Sequence, residues 1–161
     1  EVEIALARLS RKEGDNAAAS AHYERALGLD PRLSPWETLR FAAESLDPSE
    51  QHEIFDALEP RFGEKHDLYN NFAWLLATSP DESLRDPVRA LRLARRAIEL
   101  SPERNAYYLG TLAAAQAANG DFGVALESIR AARELSPNDE SLHESWARME
   151  AAFRSGQLFL D

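Results

Sequence analysis

One spacing of small residues is written twice between residues 90 and 137, and it narrows what this chain can fold into more than any other feature. Ala90, Ala94, Ala97 and Pro102 are followed, each 35 residues on, by Ala125, Ile129, Ala132 and Pro137. Ala19, Tyr23, Ala26 and Pro31 stand 71 residues before the first set, about two such periods. Self-similarity at this period marks a stacked array, in which each unit buries its apolar face only against its neighbours. The steps of four and three put the small residues on one helical face, where two helix axes can approach closely.

Composition agrees with a helical array. Ala and Leu dominate the 161 residues, and the 7 Gly and 8 Pro fall mostly at punctuating positions. Alternating β-branched runs are absent, so an all-α fold is expected. A net charge of −10 disfavours general nucleic-acid binding and anionic membranes, both of which call for a basic surface. Without cysteine there is no disulfide framework or thiolate site, which fits reducing and oxidising compartments alike. No apolar run reaches the roughly 18 residues of a membrane span, so no direct membrane insertion is expected. The chain opens on Glu1, which makes a piece of a longer protein an expectation.

Start and stop signals divide the chain into helix pairs. The first pair covers residues 1–31, with Asp15 placed to cap the second helix after Gly14. A degenerate pair covers 34–62, opened by Ser34-Pro35-Trp36-Glu37 and by Asp47-Pro48-Ser49-Glu50. The third covers 67–102, with helices over 68–78 and 88–100. It is longer than the others: Ala73 to Ala90 spans 17 residues, where Ala7 to Ala19 and Ala113 to Ala125 each span 12. The insertion at 79–85 carries its own start signal, enough for one short helical turn, and serves either as a surface elaboration or as a contact loop. The fourth pair covers 103–137, with helices over 103–119 and 122–135. A capping helix at 139–155 carries Leu142, Trp146, Met149 and Phe153 on one face, and Gly156 ends it.

These residues resemble the tetratricopeptide repeat (TPR) family. Ala19-x3-Tyr23-x2-Ala26-x4-Pro31 fits the second half of its motif, and the sets at Ala90 and Ala125 fit with the aromatic replaced. Leu6-Ala7, Phe72-Ala73 and Leu112-Ala113 stand where the family has Leu-Gly. The stretches 71–81, 85–87 and 109–115, with the ending Arg154-Ser155-Gly156-Gln157-Leu158-Phe159, are similar to bacterial TPR arrays that form the C-terminal part of larger proteins. The resemblance implies an α-solenoid of antiparallel helix pairs, a TPR-like superhelix with a C-terminal capping helix, as one domain over 1–161. It also implies a non-catalytic module that binds a peptide or protein segment in a concave groove. The alternative it offers is a scaffolding or regulatory appendage of a larger enzyme, such as a membrane glycosyltransferase. A cytoplasmic location is the expectation, or a periplasmic one if the parent protein is membrane-anchored.

Carried over position by position, the resemblance puts Arg8, Arg11, Glu37, Phe41, Glu44, Asn70, Trp74, Thr78, Tyr107, Gly110, Ala114 and Ala117 on the groove side. Only Asn70 resembles the Lys and Asn clamp with which some family members hold a terminal carboxylate, and Glu37 and Glu44 would repel one. Gly110, Ala114 and Ala117 either leave room for a partner's bulky side chain or permit close helix packing. Asn70 is placed to hold a peptide backbone. Trp36 and Trp74 are either core or interface aromatics. Partner identity and oligomeric state are open.

Outside the groove, Arg85, Arg89, Arg92 and Arg96 follow steps of four, three and four, a basic stripe on an acidic chain, with Arg95 beside it and offset by Glu99. It reads as a solvated outer face or as a contact for an acidic partner. His22, His52, His66 and His143 stand far apart, and no phosphate loop, nucleophile elbow or metal-ligand spacing occurs. No catalytic residue, metal or cofactor is expected.

Overall fold

Among the described residues, three α-helices start on a short polar side chain, Asp86, Asn105 or Asp139, that accepts from one of the first free backbone N–H groups. The computed structural model describes residues 2–15, 18, 22, 25, 51, 55, 56 and 59–161. Among these the regular elements are all helical. The chain divides into two units, Glu1–Gly63 and Glu64–Asp161. In the first, α1 spans Val2–Lys12 and a 3-10 turn spans Glu59–Arg61. Asp15 Oδ1 accepts from Ala18 N–H at 2.9 Å, the capping bond its position suggests. Glu3 Oε2 lies 2.8 Å from His22 Nδ1 and 3.0 Å from Arg25 Nε, and these partners, His22 first, hold its carboxyl below the ordinary range. Ala7, Phe55 and Phe62 are buried. The positions that carry the repeat at Ala19, Tyr23, Ala26 and Pro31, and most of the pair at 34–62 with Trp36 and Phe41, lie outside the described residues.

The second unit contains α2 (His66–Thr78), α3 (Pro87–Leu100), α4 (Ala106–Ala118), α5 (Phe122–Leu135) and α6 (Glu140–Arg154). Asp86 caps α3 by accepting from Arg89 N–H, and Pro87 stands in its first turn, where a missing N–H costs nothing. Asp139 caps α6 by accepting from Leu142 N–H. The insertion forms a 3-10 turn over Glu82–Leu84, capped by Asp81 through Ser83 N–H at 2.9 Å and anchored by the buried Leu84.

One helix starts later than the spacing predicts. Ser101-Pro102-Glu103 has the grammar of a start signal, but Ser101 is extended and its hydroxyl donates to the Glu103 carbonyl. Asn105 is the cap that works, accepting from Tyr107 N–H at 2.9 Å, so α4 begins at Ala106 rather than at 103.

Packing follows the placement of small residues. α2 lies against α3 and α4; α4 also lies against α3, α5 and α6; and α5 lies against α6. Phe72, Leu76, Leu93, Ile129, Met149 and Phe153 fill the space between them, each fully buried and each worth roughly 1.5–3 kcal/mol of burial. Ala90, Ala94, Ala97, Ala113, Ala115, Ala125 and Ala132 are buried at the crossings, where a Cβ is the largest group the axes admit. The repeated small residues are therefore crossing points in both visible sets.

Candidate functional site

α2, α4 and α6 are alternate helices in the chain, and α4 packs directly on both α2 and α6. Trp74 and Thr78 follow Asn70 at steps of four along α2, which keeps them on one side of that helix. Trp74 is half-buried, while Asn70 and Thr78 are 1% exposed. The Asn70 side-chain carbonyl is buried with no donor, and its amide reaches only Asn71 Oδ1 at 3.4 Å. On α4, Tyr107 is 45% exposed.

The small residues of α4 meet this chain's own side chains. A Cβ added to Gly110 would sit 2.7 Å from Trp146 Nε1, so the space above Gly110 is taken by the indole of α6. Ala114 and Ala117 are buried too. The packing role therefore holds at Gly110, and Trp146 is a core residue with 2% exposure.

The Trp74 side of α2 carries an occupant from the same chain. At Gly156 the backbone turns left-handed, with φ +68°, and Gln157 N–H bonds back to the Ala152 carbonyl at 2.9 Å, a helix-ending arrangement that glycine adopts at little cost. Residues 157–161 then run without helix to the end of α2. Asp161 N–H donates to the Thr78 carbonyl at 2.9 Å, one of the last-turn acceptors that α2 leaves open. The Trp74 indole N–H donates to Asp161 Oδ2 at 3.2 Å. The Phe159 ring lies 5.9 Å from the Trp74 ring and has the Arg148 guanidinium of α6 over it at 5.6 Å. Burial, with the Asp161 charge as the second cause, raises the pKa of Tyr107, which places that carboxylate near α4 as well.

A second polar group joins α2 to α4. The Tyr108 hydroxyl donates to Asp67 Oδ1 and lies 2.6 Å from His66 Nδ1, and His66 Nδ1 lies 2.9 Å from the same Asp67 oxygen. Burial pushes the Tyr108 phenol above its ordinary value, and the Asp67 bond and charge add to the shift. Beside it, an open recess of about 450 Å³ runs past His66, Arg104, Asn105 and Tyr107.

The basic stripe is broken at its first member. Arg85 precedes α3, because Asp86 and Pro87 start the helix after it, so it does not share the helix face of Arg89, Arg92 and Arg96. Its guanidinium donates to the Ser79 and Pro80 carbonyls at 3.0 and 3.3 Å and reaches Glu82 at 3.5 Å, tying the insertion closed. Arg89 stands over the Phe72 ring at 5.0 Å. Glu99 pairs with Arg96 at 3.3 Å rather than with Arg95, although both spacings, three and four, put the side chains on one side of the helix. His143 is held between α6 and α5, with Nε2 2.8 Å from the Ser136 carbonyl. Among the described residues no cluster of three or more His, Asp or Glu side chains is placed to hold a metal ion, and no helix is long and apolar enough to cross a membrane.

Spacing alone does not point to Arg148, Phe159 and Asp161, the groups that occupy or flank the Trp74 side of α2. One signal was available: Leu158-Phe159-Leu160 is an apolar run just after a helix stop, and such a run gains by docking. No family model matches the chain, and no curated protein or solved structure matches it.

Proposed function

We propose that the chain is a TPR-like α-solenoid of antiparallel helix pairs that works as a non-catalytic interaction module, holding a peptide or protein segment on the face of α2, α4 and α6. The observation that carries this reading is the packing of alternate helices side by side, with the half-buried Trp74 on α2 and the exposed Tyr107 on α4. Two bonds support antiparallel neighbours. Asn119, just past the end of α4, donates to the Pro87 carbonyl at the start of α3 at 2.6 Å, and Ser128 at the middle of α5 donates to Gln116 late in α4 at 2.8 Å. Asn70 adds a reason for a peptide ligand: its buried carbonyl lacks a donor, which is costly, and a turn of the side chain toward the surface would let a bound backbone N–H supply one.

Aromatic side chains near the centre of an interface carry much of its energy. Tyr107→Ala and Asn70→Ala are therefore expected to weaken binding of a captured partner by roughly tenfold or more, about 1.4 kcal/mol, in a titration against the purified pair. A photo-crosslinking residue at position 107 is expected to trap that partner while one at position 95, on the outside of α3, does not. Unchanged affinity in both variants would remove the face from the interaction.

A further inference from the structure

Residues 157–161 touch this face only through groups that a separate peptide could supply. The contacts are a ring between Trp74 and Arg148, a carboxylate on the Trp74 indole N–H, and a backbone N–H on the Thr78 carbonyl. The ring and the carboxylate belong to residues two apart, Phe159 and Asp161, with Leu160 between them pointing its bulk to solvent at 48% exposure. An extended backbone sends residues two apart to the same side, so this is the pattern of a strand lying on the helices. Resting on the interaction-module reading, we propose that residues 157–161 are an intramolecular stand-in for the partner, and that the partner segment is an extended peptide with an aromatic residue followed two positions later by Asp or Glu.

The chemistry selects that class. Trp74 offers one N–H donor and a ring face, a pair that fits an acceptor and an aromatic spaced as they are here. Arg148 over the ring favours an aromatic to an aliphatic side chain. The Thr78 carbonyl asks for a backbone N–H, which any residue but proline supplies at the acidic position.

The stand-in is displaceable. Gln157, Leu160 and Asp161 are exposed, and ordering five residues costs conformational entropy that these few contacts offset. An incoming peptide therefore competes with a segment tethered at high effective concentration and must outlast it, so the segment sets a threshold of affinity for partners.

The test uses the whole chain and a fluorescent peptide copying residues 155–161, blocked at both ends so that neither terminal charge contributes. The double variant Phe159→Ser, Asp161→Asn vacates the face. The peptide is expected to bind this variant at least tenfold more tightly than the parent chain by fluorescence anisotropy. Peptides with alanine at the aromatic position or asparagine at the acidic one are expected to lose at least tenfold. Equal binding to parent and variant overturns the proposal, as does a parent chain that forms a dimer through this segment, which would give the face to a second copy. Should the double variant not fold, Asp161→Asn alone disturbs no buried residue. It is expected to move the Trp74 indole N–H resonance, identified by its loss in Trp74→Phe, and an unmoved resonance overturns the docking. If the peptide fails everywhere while the crosslinker at position 107 still traps a partner, the stand-in falls and the module reading stands. If the Tyr107 and Asn70 variants bind a partner unchanged, the module reading itself falls.

Discussion

α3 and α4 are neighbours of almost equal length and opposite construction. α3 buries one stripe, Ala90, Leu93, Ala94 and Ala97, and gives its outside to arginines. α4 is buried along most of its circumference, from Ala106 to Ala117, and has no charged residue at all. The difference follows from what each one touches: α3 lies against α2 and α4, whereas α4 is hemmed by α2, α3, α5 and α6. A helix enclosed in this way can be built only from side chains short enough to let the other axes approach, so its sequence is poor in information about chemistry and rich in information about position. The outer helix has the reverse character, since its exposed side can change with little effect on packing.

Substitutions that make one helix resemble the other should separate them. The largest effect is expected for Gly110→Leu, which drives a side chain into the Trp146 indole and should destabilise the chain by about 1–3 kcal/mol, lowering the midpoint of thermal unfolding. In a Trp146→Ala background the same change should cost less, and equal costs in the two backgrounds would mean that α6 does not hold α4 at this point.

Next in size is an alkaline effect on α4. The Tyr108 phenol is raised above its ordinary value of 10.0 in the folded chain, with Asp67, His66 and Tyr107 facing it. The unfolded chain therefore gives up this proton before the folded one does. Its contribution is complete below pH 10 and declines above it, by up to about 1.4 kcal/mol per pH unit. Denaturant titrations should show a flatter alkaline limb for Tyr108→Phe than for the parent. Tyr107, raised in the same direction, adds a share that Tyr107→Phe should remove.

The smallest effect is expected on the outside of α3. Arg95→Glu should change stability by no more than about 0.5 kcal/mol, because Arg95 is exposed and Glu99 spends its charge on Arg96. A loss as large as that of Gly110→Leu would show that α3 has a covered outer face and erase the contrast.

Much of this arrangement was legible in the sequence. Helical period, Pro87 and the capping side chains of Asp86 and Asp139 locate α3 and α6 closely, because each acts within a few residues of itself. The start of α4 was not, since Ser101 and Asn105 are both competent caps and only the extended path of the intervening loop decides between them. Site residues divide in the same way. Trp74 and Tyr107 are readable as positions on α2 and α4, but what sits on Trp74 depends on contacts 87 residues away in sequence. Spacing carries no trace of such a pairing. Gly110 was legible as small and illegible as to why, because its reason is Trp146 on another helix.

That glycine has a consequence beyond stability. Helices lined with alanine can slide along one another at little cost, since one methyl group looks much like the next, and neighbouring registers compete. Gly110 is a notch in an otherwise even rail, and the indole of Trp146 is a tooth that fits at one step only. Moved by one helical turn, the tooth would meet the Cβ of Ala106 or Ala114 instead. The last helix is thereby indexed to one position on α4, and the segment that follows Gly156 is delivered to one place.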